Sequence, residues 1–173
     1  MKISRRLLLS TALLLPLFGL GACEAAKHSD LITVTDLSTL AQEAQTARLP
    51  ILLFATAPDC RYCHQLERDV IQPILKNKQY EQKVLMRRLD LGQDTIVDFD
   101  GQSKDSMRVA KRYKAQLTPT IVFLSPEGNI IEDHILGVVA DIDQYGGMID
   151  ARLNSALAKL GNPARIIHNA QQK

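Results

Sequence analysis

The apolar residues of the chain follow two rhythms. One is helical. Leu37, Leu40, Ala41, Ala44 and Ala47 recur at helical spacing, with Asp36 placed to cap the helix they predict. Pro50 should close it. Leu66, Val70, Ile74 and Leu75 mark a second helical face, which Pro73 should kink or end. Met107, Ala110 and Tyr113 place a third helix within 103–114, and Ile149, Leu153, Ala156, Leu157 and Leu160 a fourth. Gly146-Gly147 weaken the start of that last helix by about 1 kcal/mol each relative to alanine. Gly161-Asn162-Pro163 stops it.

The other rhythm is a set of short apolar runs suited to strands: Ile51–Thr56, 84–91, 120–125 and 130–137. Pro126-Glu127-Gly128-Asn129 is turn chemistry, so the last two runs should pair as a hairpin. Residues 92–102 are polar and loop-like. The predicted order is α-β-α-β-α-β-β-α. This is an α/β arrangement, a central mixed four-stranded sheet flanked by helices.

The first twenty-two residues break this pattern. Lys2, Arg5 and Arg6 precede an apolar run at 7–20, fourteen residues long and interrupted by Pro16. It is too short to span a bilayer comfortably and has the form of an export signal. It ends Leu20-Gly21-Ala22-Cys23, which resembles a bacterial lipobox. Cys23 is then the acylation site. The other readings are an unlipidated signal with an incidental cysteine and, from Arg5-Arg6, a twin-arginine signal. The predicted organisation is a lipoprotein signal peptide at 1–22 and a lipidated cysteine and tether at 23–34. A folded domain at 35–161 and a loose tail at 162–173 complete it. The expected location is the periplasm, on a bacterial membrane.

Composition adds bounds. The whole chain has 173 residues, 21 Lys+Arg and 19 Asp+Glu. A balance of +2 lacks a nucleic-acid footprint. Cleavage before Cys23 removes three positive charges and leaves 18 against 19, a balance of −1. Attachment to lipid would then come from acyl chains, since two or more chains anchor stably where one is marginal. A chain of this size buries enough surface to fold without a disulfide framework. The cysteines are three: Cys23, Cys60 and Cys63.

Cys60-Arg61-Tyr62-Cys63 carries the chemistry. Its cysteines, at i and i+3, lie on one side of a helical turn, where their sulfurs can meet in a disulfide or diverge as thiols. Cys60 follows a strand and turn and opens a helix, whose N-terminus offers unpaired N–H groups and a positive dipole end. Cysteine pKa values in such places fall to about 3.5–7.5 from ~8.5. Arg61 adds a fixed positive charge. Cys60 is the candidate nucleophile and Cys63, one turn deeper, the resolving thiol. A purely structural disulfide here would close too small a loop to stabilise much. Structural zinc wants four ligands, and no second cysteine pair exists. Cys60-x-x-Cys63-His64 also matches the c-type haem attachment motif, with His64 as axial ligand and Met86, Met107 or Met148 opposite. A strand feeding directly into the motif argues against haem. A non-catalytic thiol or copper-binding chaperone is the third reading.

Strand-Cys-x-x-Cys-helix, followed by Thr118-Pro119-Thr120 before a strand, resembles the thioredoxin-like proteins over about 35–160. Phe99-Asp100-Gly101 and the stretch Leu117-Thr118-Pro119-Thr120-Ile121-Val122-Phe123 are similar to SoxW-type periplasmic thioredoxins of sulfur-oxidising bacteria. The resemblance implies a thioredoxin-like fold and a cis Pro119 facing the cysteine pair. It implies a Thr118 backbone offered to a substrate strand, and Arg61 and Tyr62 as active-site environment. It further implies a monomeric reductase of protein disulfides, without cofactor, re-reduced by a membrane electron donor. The sequence departs from thioredoxin in three places. Asp59 replaces the tryptophan before the first cysteine, Arg61-Tyr62 replaces Gly-Pro, and Phe54 stands where thioredoxin buries an aspartate.

Other candidates are weaker. Asp98-x-Asp100-Gly101 hints at calcium, but the loop's first and twelfth positions would be Ile96 and Met107. A solvated acidic loop is expected instead. Arg87-Arg88 and Lys111-Arg112 read as exposed charge, and His28, His134 and His168 show no ligand spacing.

Overall fold

The computed structural model describes residues 30–138 and 141–167. Cys23, His28 and His168 lie outside them. Helix α1 (Leu37–Ala47) starts at Asp36, whose carboxylate accepts from the Ser38 and Thr39 amides at 2.8 and 3.0 Å. Hydrogen bonds from Ser38 and Thr39 hold that carboxyl below its ordinary pKa. The helix stops at Arg48, left-handed at φ 52°, so it ends before Pro50.

Strand β1 (Ile51–Thr56) is buried along its whole length, and it leads through 57–60 into α2 (Arg61–Leu66). A π turn at Glu67–Ile71 joins α2 to α3 (Gln72–Lys76). Pro73 does not end the helical path. The Gln72 amide reaches back to the Glu67 carbonyl, so the ladder restarts. Pro73 falls in the first turn of α3, where a missing N–H does no harm.

Strands β2 (Leu85–Asp90), β5 (Thr120–Leu124) and β6 (Ile130–Leu136) complete the main sheet. Its order is β2-β1-β5-β6. β1 runs parallel to β2 and antiparallel to β5, and β5 pairs antiparallel with β6. The mixed four-stranded sheet is as expected. Cores form on its two faces. Phe54, Cys63, Val70, Ile121, Ile149 and Leu153 belong to one, under α2, α3 and α5 (Ile142–Lys159). Leu37, Leu40, Leu53, Leu89, Val109 and Val122 belong to the other, under α1 and α4 (Ser106–Arg112). Gly146-Gly147 lie inside α5, which begins at Ile142 because Asp141 caps it. No helix among the described residues is long and apolar enough to cross a membrane.

Several expectations need correction. The polar segment 92–102 is not merely a loop. It holds β3 (Thr95–Val97), which pairs with β4 (Ser103–Asp105) across a turn where Gly101 takes φ 76°. Asp98 in that hairpin is 1% exposed, not solvated, and its carboxylate accepts from Lys104 Nζ and Arg112 Nη1, both at 2.8 Å. Burial pushes its pKa up, but the hydrogen bonds from Lys104, the Phe99 amide and Arg112 outweigh this and hold it low.

The domain boundaries also shift. Leu31 and Val34, in the expected tether at 23–34, are buried. The Val34 amide donates to the Arg88 carbonyl at 2.9 Å and the Arg88 amide to the Ile32 carbonyl at 2.8 Å, because β2 has an open edge there. The expected tail at 162–173 is pinned at its start: Ile166 is buried, and the Ile167 amide donates to Gln79 Oε1 at 3.0 Å. Asn154 makes a two-way clamp on the Ile166 backbone, at 2.7 and 2.8 Å, and Ile166 joins the cluster that holds Cys63. Arg87 and Arg88, expected as exposed charge, are half-buried and pair with Glu43 and Glu67.

Candidate active site

Strand β1 delivers the chain to the site. Ala57-Pro58-Asp59 turns it, with Asp59 left-handed at φ 58° and the Cys60 amide donating to the Ala57 carbonyl at 3.3 Å. Gly92 backs this turn: a Cβ there would lie 2.5 Å from Pro58 Cγ. Cys60 is the N-cap of α2, and its sulfur accepts from the Cys63 amide at 3.2 Å. The two sulfurs are joined at 2.03 Å, with Cα atoms 5.2 Å apart. The sequence left open whether they meet, and here they do. Cys60 is half-buried while Cys63 is 2% exposed.

The second element comes from the approach to β5, the strand paired with β1. The Thr118–Pro119 peptide is cis. Thr118 Oγ1 lies 3.5 Å from Cys60 Sγ and donates to it. Gly137 after β6 donates its amide to the Pro119 carbonyl at 2.8 Å, which holds this loop against the sheet. The structure therefore brings Cys60, Cys63, Thr118 and Pro119 together. Arg61 and Tyr62 are both exposed at the helix start, with the guanidinium 5.6 Å from the Tyr62 ring centroid.

The remaining candidates separate. Met86 is buried in the core, Met107 is exposed on α4 and His64 is exposed on α2. The cysteines that would carry a haem are instead joined to each other, and one is buried. His134 Nε2 lies 2.6 Å from the Tyr113 carbonyl, away from the cysteines in sequence and bonded within the fold. Among the described residues no cluster of three or more His, Cys, Asp or Glu could hold a metal ion.

Two features were missed in the sequence. One is an apolar rim. Leu117 is 75% exposed, Leu136 59% and Tyr62 51%. Leu117 adjoins Thr118, and Leu136 pairs in register with Thr120. The other is a cleft of about 600 Å3 that reaches Cys63 and is lined by Glu67, Arg88 and Asp90 among others. Glu67 was legible as the residue four positions after Cys63 on one helix. Arg88 was not, because only sheet register places it opposite Phe54.

A parallel-antiparallel sheet with a cysteine pair at a helix start and a cis proline facing it defines a thioredoxin-like protein. The family model described as a thioredoxin-like domain matches residues 37–152, so the chain belongs to that family. Among solved structures it is similar to DsbH oxidoreductase, at 16% identity and a TM-score of 0.51, covering 73% of this chain and 87% of that one. It is similar to a redox protein from Chlamydomonas reinhardtii at 18% identity and a TM-score of 0.54, covering 84% of this chain but 41% of that one. Thioredoxin f from spinach chloroplast matches at 16% identity and a TM-score of 0.50, covering 72% of this chain and 96% of that one. At these identities the likeness is one of fold. No curated protein sequence matches the chain.

Proposed function

We propose that the protein is a thiol–disulfide oxidoreductase that reduces protein disulfides. One observation carries the reading: a bonded cysteine pair, Cys60 half-buried and Cys63 buried, beside the cis Thr118–Pro119 peptide. In the dithiol form the Cys60 thiolate attacks a substrate disulfide. One substrate sulfur leaves with the electron pair, and a mixed disulfide remains. Cys63 then attacks Cys60. The Cys60–Cys63 bond forms, the substrate leaves with two thiols, and two electrons have passed to it. The α2 N-terminus and Arg61 favour the Cys60 thiolate. The rim and the Thr118 backbone supply a place for an extended substrate strand, whose main-chain groups pair there.

The likeness to SoxW-type thioredoxins and the signal-like start extend this reading. The protein works as a monomer in the periplasm, held to a membrane through acylated Cys23, and a membrane electron donor returns two electrons and two protons. Metabolic labelling with a fatty acid tests the anchor, since Cys23→Ala must abolish incorporation.

Substrate trapping with Cys63→Ser tests the chemistry. The variant should accumulate mixed disulfides on Cys60 that dithiothreitol releases, and the reduced wild type should precipitate insulin by reducing it. Tight Cu(I) binding without insulin reduction would replace the reading with a metal-binding chaperone. A Soret band in the purified protein would replace it with a c-type electron carrier.

A further inference from the structure

Cys63 is 2% exposed, so its thiol proton has no direct route to bulk water. Behind it, β1 is buried throughout and Ile51–Thr56 carries no titratable side chain. The proton must leave sideways, and there the 600 Å3 cleft touches Cys63 itself. One water occupies about 30 Å3, so water enters with room to spare.

Six titratable or charged side chains line that cleft: Asp59, His64, Glu67, Arg68, Arg88 and Asp90. Their placement separates them. Asp59, His64 and Arg68 are exposed. His64 also follows Cys63 directly, and adjacent helical residues do not face one another. Asp90 is engaged, its Oδ1 accepting from the Gly92 amide at 2.9 Å. Glu67 stands one turn beyond Cys63, its amide donating to the Cys63 carbonyl. Side chains so spaced share a face, with Cβ atoms about 5–6 Å apart. Arg88 fixes the carboxylate. Its Nη2 pairs with Glu67 Oε1 while its Nη1 donates to Thr33 Oγ1 at 3.2 Å. Glu67 is 19% exposed and lines the same cleft as Cys63, so the cleft connects it with both the buried cysteine and the solvent.

We propose that, within the dithiol chemistry above, Glu67 relays the Cys63 proton through this cleft, with Arg88 as its positioning partner. In the resolving step the Cys63 S–H proton passes through cleft water to a Glu67 oxygen. The new thiolate attacks Cys60 of the mixed disulfide. The Cys60–Cys63 bond forms and the Cys60–substrate bond breaks. The electron pair leaves on the substrate sulfur, which takes a proton from solvent, and Glu67 returns its proton to bulk water. On re-reduction the same path runs backward and protonates Cys63.

Stopped-flow reduction of a single-disulfide peptide by the dithiol form resolves the two steps, followed from mildly acidic to alkaline pH. Glu67→Gln should slow mixed-disulfide resolution roughly 100-fold near neutrality, the low end of general acid–base catalysis. The deficit should shrink at alkaline pH, where hydroxide takes the proton directly. Cys60 alkylation by iodoacetamide should keep its rate. Glu67→Asp, which keeps a carboxylate, should recover most of the loss. Thermal melts of both variants report folding. A wild-type resolution rate in Glu67→Gln would overturn the relay, as would a slowing equal at every pH or a pH-selective loss that moves to Asp90→Asn. The Cys63→Ser variant reports the first step alone. If it forms no mixed disulfide, the oxidoreductase reading fails. If it does while Glu67→Gln resolves normally, only the relay fails.

Discussion

The disulfide has two sides, and they differ in nearly every physical respect. Around Cys60 three apolar side chains, Leu117, Leu136 and Tyr62, stand into solvent beside the exposed Asp59 and Arg61. The apolar surface continues to Val138 and Ile142, which share a small hollow with Gln65 and Leu66 of α2. Around Cys63 the surface is a polar cleft with an ion pair in it. Exposed apolar groups near a reactive sulfur favour contact with another polypeptide, since their burial is the gain. Fixed charges in a wet cleft favour proton movement instead. In the proposed mechanism one covalent bond is thus served by a docking side and a proton side, separated by a single helical turn.

This division can be broken experimentally. The largest effect belongs to the sulfurs. Cys60→Ser should abolish insulin reduction, while Cys63→Ser should retain attack and stall as an adduct visible on non-reducing gels. Residual turnover in Cys60→Ser would put the nucleophile elsewhere. Next comes a control remote in sequence. Asp98→Asn should lower stability by about 2 kcal/mol in urea melts, less than the ~3–5 of a fully buried pair because the Arg112 side chain is 46% exposed. The folded pKa of Asp98 is depressed, so its contribution is complete above the ordinary carboxylate range and disappears as pH falls through the folded value. The variant should therefore lose part of the acid limb of the stability profile yet keep wild-type redox rates.

Smaller effects probe the docking side. Leu117→Asp should raise KM for a polypeptide disulfide by roughly tenfold, the worth of about 1.4 kcal/mol at a contact residue. Its rate with a small aromatic disulfide should stay unchanged. Equal losses on both substrates would mean that the rim supports the site rather than the substrate. The smallest effect belongs to Thr118→Val. Loss of the 3.5 Å bond to Cys60 should raise the Cys60 pKa by less than about one unit, because such a bond contributes only ~0.5–1.5 kcal/mol. Ultraviolet titration of the thiolate measures it.

Most of the scaffold was legible because each element announces itself locally. Asp36 caps α1, β1 is a continuous apolar run, and Cys-x-x-Cys with Thr118-Pro119 marks the centre of the site. What escaped depends on partners distant in sequence. The β3–β4 hairpin has three-residue strands, so alternation is too short to register. The ions beneath it, Asp98, Lys104 and Arg112, hold it to the domain. Arg88 looked like surface charge because its neighbour in the chain is also arginine; only pairing with β1 turns it toward Glu67. The clamp of Asn154 on Ile166 joins residues across a helix end, where no periodicity extends.

A four-stranded sheet has two borders, each a ready template on which a second chain could grow. Here both are denied. Residues 32–34 lie along β2 and take up the Arg88 backbone. On β6, α5 reaches over: Lys159 Nζ donates to the Ile131 carbonyl at 2.7 Å and Arg152 Nε to the Asp133 carbonyl at 2.8 Å. Irregular register between β5 and β6 disturbs the same border. Both borders are thereby guarded against pairing with a second chain. Under the proposed reduction of protein disulfides, strand addition at Thr118 beside the sulfur ends in chemistry rather than in a fibril.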